Sequence, residues 1–65
     1  MIHLHDRVRI ISSGFESQGI GPGTDGFVID LYDDGNFEVE VSDPLTGETV
    51  AQFVATPSDV AIVGS

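Results

Sequence analysis

Six residues, GPGTDG at positions 21–26, spell the G-x-G-x-x-G pattern that cradles the pyrophosphate of a dinucleotide. That chemistry requires a helix directly after the glycines, because the helix N-terminus and its free N–H groups face the phosphates. The residues that follow, FVIDLY, are rich in aromatic and branched side chains and lack helical spacing. The pattern therefore predicts a strand, and we interpret the glycines as turn residues and expect no nucleotide cofactor.

Two histidines and an aspartate stand close together near the start of the sequence, at His3, His5 and Asp6. In an extended strand both imidazoles would share one face and could approach a single Zn²⁺ or Ni²⁺ ion. Structural zinc takes four protein ligands, and the remaining candidates are acids scattered along the chain. We therefore predict surface histidines and no metal site.

Five acidic residues bracket one hairpin of the sequence. Calcium loops space their oxygen ligands as D-x-[DN]-x-[DN]-G-x₅-E, and the segment DDGNFEVE does not match that spacing. We interpret the acids as a solvated face with turn residues, and we predict that four of them contact a protein partner. The five acids are Asp30, Asp33, Asp34, Glu38 and Glu40, and the four predicted partner-binding residues are Asp33, Asp34, Glu38 and Glu40.

The sequence offers no arrangement typical of nucleophilic catalysis. Three serines, at positions 12, 13 and 17, share one loop, the histidines lie at the start of the sequence, and cysteine is absent. A positioned nucleophile, base and orienting acid is not indicated. We predict that the protein is not an enzyme.

The charge balance is strongly acidic. Eleven Asp and Glu residues face two arginines, which gives a formal net charge of -9. Nucleic acids and anionic membranes both require clustered cations, so we expect neither as a partner. The absence of cysteine suits a reducing compartment, and we expect a cytoplasmic protein.

The length and the regular turn spacing predict one all-β domain over residues 1–65, with its core at about 5–63. Strands are predicted at 6–11, 24–32, 37–41, 49–54 and 60–63, and Gly26 is a candidate bulge. DDGN and DPLTGE are tight turns, and TPSD at 56–59 is a short 3₁₀ turn that Thr56 caps. We predict a small five-stranded SH3-like barrel with that 3₁₀ turn before the last strand.

The alternation of apolar residues also predicts the core. Phe15 is expected to tuck inward from the loop at 12–23. The strand at 24–32 is apolar on both faces around Phe27, so its facing is ambiguous. The residues expected to be largely buried are Val8, Ile10, Phe27, Ile29, Leu31, Phe37, Val39, Val41, Phe53 and Ile62.

Several segments resemble one family over residues 4–63: HDRVRI, GIGPGTDGFVIDLYDDGNFEVEV, GETVAQF and SDVAIV. That family consists of short, uncharacterised bacterial proteins with an SH3-like barrel, known as a domain of unknown function. The resemblance implies a small accessory protein, of a kind suspected to neutralise the product of a paired toxin-like gene. More remotely, Gly26-Phe27-Val28 is similar to the G-x-V of the small barrel motif in ribosomal proteins and transcription factors.

Three hypotheses of function remain open from the sequence. The first is a non-enzymatic interaction module whose acidic outer face, centred on Glu38, Glu40 and the DDG turn, docks a basic protein. The alternative is a self-associating structural barrel, a homo-oligomer in which edge strands pair. The third is an RNA-binding barrel, which would need a basic face that two arginines on one strand do not supply.

Overall fold

The computed structural model describes residues 1–64, in which five antiparallel strands form one sheet. The strands are β1 (Arg7–Ile10), β2 (Asp25–Leu31), β3 (Phe37–Ser42), β4 (Thr49–Ala55) and β5 (Val60–Ile62). Their order across the sheet is β4-β3-β2-β1-β5, so β4 and β5 are its two edges. The all-β prediction is confirmed, and the arrangement is consistent with a barrel-like fold.

Strands β1 and β3 bury alternate residues, as their sequences predict. Val8 and Ile10 are fully buried, while Arg7 and Arg9, which alternate with them, are exposed. On β3 the three residues Phe37, Val39 and Val41 are buried. These side chains form the centre of the core, together with Val28 of β2 and Phe53 and Ala55 of β4.

The first part of strand β2, up to Val28, faces the other way from our prediction. Val28 is fully buried, whereas Phe27 is 48% exposed and Ile29 is only half-buried. A register irregularity in the pairing of β2 with β3 lies between Val28 and Asp30, so the predicted bulge at Gly26 was also misplaced.

Close packing at Gly26 determines this facing. A Cβ atom at Gly26 would lie 2.8 Å from the carbonyl oxygen of Glu40 and 2.8 Å from a methyl carbon of Val39. The inner face of the sheet therefore has room only for glycine at this position. Because neighbouring residues of a strand alternate, Phe27 must point outward.

Leu31 and Ile62 were also predicted to be buried, and they are 43% and 48% exposed. Leu31 lies opposite Phe37 and Ile62 lies opposite Val8, so both belong to the inner face of the sheet. They lie at the ends of their strands, where other residues cover them only in part. Their exposure leaves an apolar groove at one end of the molecule.

The loop between β1 and β2 packs against the core through Phe15. Its ring stacks on Phe53 with the two ring centroids 4.3 Å apart, which confirms the inward position predicted for it. Ile20 is buried. The loop also contains a short 3₁₀ helix, Glu16–Gln18, that the sequence did not predict.

The predicted turns are confirmed. In the β2–β3 hairpin, the Asn36 N–H donates to Asp34 Oδ1 at 2.9 Å, and Gly35 has a φ of 88°. Glycine suits that left-handed conformation. The 3₁₀ helix Pro57–Asp59 precedes β5, and the Thr56 N–H donates to Asp59 Oδ2 at 2.9 Å in a capping box. In the described residues, 1–64, no helix has the length and apolar character needed to cross a bilayer.

Candidate partner-binding surface

The outward residues of β2, β3 and β4 place the predicted acids in one surface. In the strand register Glu38 lies between Asp30 and Val54, so these three residues share the outer face. Glu40 lies in the next outward row, between Phe27 and Gln52. The turn that joins β2 to β3 carries Asp33 and Asp34 at the end of the same hairpin. We call the five acids Asp30, Asp33, Asp34, Glu38 and Glu40 the acidic face.

Hydrogen bonds hold four of the five carboxylates of the acidic face, one of them through a local contact in which the Leu31 N–H donates to Asp30 Oδ1 at 2.9 Å. Glu38 Oε1 accepts a hydrogen bond from the Tyr32 hydroxyl at 2.7 Å, and Glu40 Oε2 accepts one from Thr49 Oγ1 at 3.0 Å. Asp34 is engaged in its turn, where Asn36 Nδ2 lies 3.3 Å from Asp34 Oδ2. These donors are neutral, so they restrict the side chains without adding positive charge to the acidic face. These hydrogen bonds therefore orient Asp30, Asp34, Glu38 and Glu40 within the acidic face.

The pKa of Tyr32 depends on the negative charge of the acidic face. The hydrogen bond to Glu38 raises the pKa of the Tyr32 hydroxyl to about 12, with smaller contributions from partial burial and from the charges of Glu38 and Asp30. Ionised tyrosine would place a second negative charge against Glu38, so the neutral phenol is favoured. The contact with Glu38 makes Tyr32 a hydrogen-bond donor to the acidic face.

Both arginines of the chain are paired with one carboxylate, that of Asp25. Arg7 Nη2 lies 2.7 Å from Asp25 Oδ2, and Arg9 Nε lies 2.7 Å from Asp25 Oδ1. The hydrogen bonds from Arg9 and then Arg7 hold the pKa of Asp25 below its usual value. Within residues 1–64, the only other ion-pair contact joins His3 to Asp6 at 3.7 Å. No ion pair in that range therefore neutralises the acidic face.

Apolar side chains line two open grooves of the molecule. The first, of about 600 Å³, is the groove at the sheet end, and Leu31, Tyr32 and Ile62 line it. The second, of about 740 Å³, lies over Phe27, Leu45 and Val50. We call them the end groove and the face groove. Sequence reasoning missed both, because it assigned Phe27, Leu31 and Ile62 to the core.

The GPGTDG segment forms a turn at its start and a strand at its end. The Thr24 hydroxyl donates to the carbonyl oxygen of Gly21 at 2.8 Å, and β2 begins at Asp25. A strand, not a helix, follows the glycines, so the segment lacks the helix N-terminus that binds a pyrophosphate. The sequence interpretation of these glycines as turn residues is confirmed for residues 21–24, whereas Gly26 belongs to β2.

The two histidines do not share a strand face. The His3 N–H donates to Asp6 Oδ2 at 2.8 Å, and His5 has a φ of 70° in a turn that precedes β1. In the described range, residues 1–64, no three His, Asp or Glu side chains are placed to hold a metal ion.

Comparison with known proteins gives one match. The family model described as Domain of unknown function (DUF4926) matches residues 4–61, which is most of the chain. The search of curated proteins and the search of solved structures gave no match.

Proposed function

We propose that this chain, which belongs to the DUF4926 family of domains of unknown function, is a non-enzymatic protein-interaction module whose acidic face docks a basic protein. The observation that carries this proposal is the separation of charge on the outer side of the sheet. Asp25 engages both arginines near β1, while Glu38 and Glu40 of β3 have only neutral hydrogen-bond partners. A basic partner would find negatively charged side chains that no cation among residues 1–64 pairs with.

Exposed apolar side chains support the same proposal. Phe27 is 48% exposed beside Glu40, and Val54 is 51% exposed beside Glu38. Interfaces combine desolvated apolar anchors with polar surroundings, since charge mainly directs the encounter while apolar burial slows dissociation. The outer face therefore offers anchors within the charged array. The partner we propose presents Lys and Arg around apolar residues.

The finer features expected from the resemblance belong to this proposal as well. We infer an SH3-like relationship from the strand order, in which β1 lies between β2 and β5. An accessory protein that neutralises a basic partner in the cytoplasm is the setting that best fits a small acidic module.

Self-association is the second candidate, and the two apolar grooves favour it. Two copies that covered Leu31 and Ile62 would bury surface that is about half exposed in the monomer. Net charge opposes it, because each copy carries -9. Light scattering over a concentration series separates the two: a strictly monomeric protein removes self-association. RNA binding is less supported, because Asp25 already engages both arginines.

The test of the proposed function is partner capture by matched charge variants. Tagged protein is incubated with a lysate of its source cells at low and moderate salt, and captured proteins are identified by mass spectrometry. The E38Q/E40Q variant keeps amide oxygens that can accept the hydrogen bonds of Tyr32 and Thr49 but loses two charges. The control E16Q/E48Q loses two charges at exposed positions outside the acidic face. Salt-sensitive capture of a basic protein that only E38Q/E40Q loses supports the proposal; equal capture by both variants contradicts it.

A further inference from the structure

Strand β4 is an unprotected edge of the sheet. It runs over seven residues, TVAQFVA, and contains no charged residue and no proline. Natural edge strands usually carry lysine, proline or short length to prevent pairing with another chain. The opposite edge, β5, meets that expectation because it has only three residues. Strand β4 therefore stands out as a place where a further strand can pair.

Most of this edge is regular. Residues 51–55 of β4 pair with residues 37–41 of β3 without interruption, and the register shifts only between Val41 and Ser42, next to Val50. A regular antiparallel strand directs alternate N–H and C=O groups toward its free side. The segment from Ala51 to Ala55 thus offers a short, regular row of backbone N–H and C=O groups with which another strand can pair.

The negative charges of β3 determine which outward side chains are favoured on a strand added beside β4. Glu38 and Glu40 lie directly opposite Val54 and Gln52 on the outer face. A strand added beyond β4 would lie roughly 10 Å from β3, which is two strand spacings. The long side chains of Lys and Arg extend across β4 over that distance toward the two carboxylates. Basic residues are therefore favoured at outward positions of the added strand.

The inner face of the sheet determines which side chains are favoured at the inward positions of the added strand. Phe53 is buried on β4 and its ring is stacked on the half-buried Phe15. Inward side chains of an added strand would lie beside this aromatic pair, at the border of the core. Apolar residues are favoured there, because they would lie on the same face as the buried ring of Phe53. The two faces together select alternating basic and apolar residues.

We propose that the β4 edge binds an extended basic segment of the partner as a sixth strand, with Glu38 and Glu40 selecting its outward Lys or Arg residues. This inference rests on the proposed function and adds its binding mode, the addition of a strand to a sheet edge. A second copy of the chain is disfavoured as occupant. Pairing two β4 edges would bring Glu38 and Glu40 of both copies onto one continuous face.

The experiment uses a synthetic peptide in which Lys alternates with Val, and a matched peptide in which Glu replaces Lys. Backbone amide hydrogen exchange of the full chain is followed by NMR with each peptide at low salt. We expect the Lys peptide, but not the Glu peptide, to protect alternate backbone amides of β4 from exchange. Gln52→Lys should weaken its binding by about tenfold or more, because it adds a cation opposite Glu40. Gln18→Lys, the same change in an exposed loop residue, should leave binding unchanged.

Three results would overturn the inference. They are binding of the Lys peptide without protection of β4 amides, equal binding of the Glu peptide, and protection that rises with protein concentration in the absence of peptide. If partner capture still depends on Glu38 and Glu40 while β4 stays unprotected, only the strand-addition mode fails. Loss of the dependence on Glu38 and Glu40 would instead contradict the proposed function itself.

Discussion

The hydroxyl of Tyr32 donates a 2.7 Å hydrogen bond to the carboxylate of Glu38, across the base of the β2–β3 hairpin. This contact joins the last residue before the turn to a charge in the middle of the acidic face. It stabilises the carboxylate of Glu38 in one position while leaving its charge intact. The contact also gives the acidic face a spectroscopic probe, because Tyr32 is the only tyrosine of the chain and tryptophan is absent.

Glu38→Gln should lower the pKa of Tyr32 from about 12 toward 10.0. The amide keeps an acceptor but removes the charge that opposes tyrosinate. Because the pKa is raised in the folded state, the stabilisation is fully present below the unfolded pKa and is lost as pH rises through the folded value. In the wild type this places the loss between about pH 10 and 12. The ultraviolet absorbance of tyrosinate measures the pKa of Tyr32. An unchanged pKa in the Glu38→Gln variant would contradict the contact.

Gly26→Ala should destabilise the fold by about 1–3 kcal/mol, because the new methyl group meets the Glu40 carbonyl oxygen and Val39 in a packed region. Gly21→Ala, in the same GPGTDG segment, is the matched control. At Gly21 no atom beyond the adjacent residues lies within 4 Å of an added Cβ, so we expect little change. Urea unfolding of both variants provides the comparison. Equal stability of the two variants would show that Gly26 is not confined by β3.

Val39→Asp should unfold the domain. Val39 is fully buried at the centre of β3, and an unpaired charge there has no compensating partner. Val50→Asp makes the same chemical change at a position that is 59% exposed, and we expect that variant to stay folded. Circular dichroism with thermal unfolding distinguishes the two variants. A cooperative transition for Val39→Asp would mean that the facing of β3 is wrong.

Asp59→Ala should cost about 0.5–2 kcal/mol near neutral pH, because Asp59 closes the capping box with Thr56. The hydrogen bond from the Thr56 N–H lowers the pKa of Asp59, so its contribution is present above the unfolded pKa. The contribution is lost as pH falls through the folded value. Chemical denaturation at neutral and acidic pH should therefore show a difference that shrinks in acid. Asp33→Ala, at an exposed turn residue, is the control, and a pH-independent difference would contradict the capping role.

The sequence predicts most of the sheet because its turns carry strong local signals. Asp34-Gly35 and the Pro57 turn are determined by residues within a few positions, and the structure confirms both. The facing of β2 depends instead on how closely β3 approaches Gly26, which is a tertiary contact that local pattern does not contain. In a run that is apolar on both faces, such as FVIDLY, the pattern indicates that some apolar residues stay exposed. It does not identify which ones.

The candidate site likewise has features that the local sequence predicts and features that only the tertiary structure reveals. Glu38 and Glu40 were placed on the outer face by simple alternation in FEVEV, and the strand register bears this out. The Asp25 pairing with Arg7 and Arg9 joins residues that are far apart in sequence, so only the pairing of β1 with β2 reveals it. The partner-binding role of the acidic face remains a prediction.

The most direct test of the central claim is capture of a basic partner by charge-reversed variants over a salt series. E38K/E40K and E16K/E48K change the net charge by the same amount, and light scattering and circular dichroism first confirm that both are folded. We predict that E38K/E40K loses the salt-sensitive partner while E16K/E48K retains it. Equal retention of the partner by both variants at moderate salt would contradict docking through the acidic face.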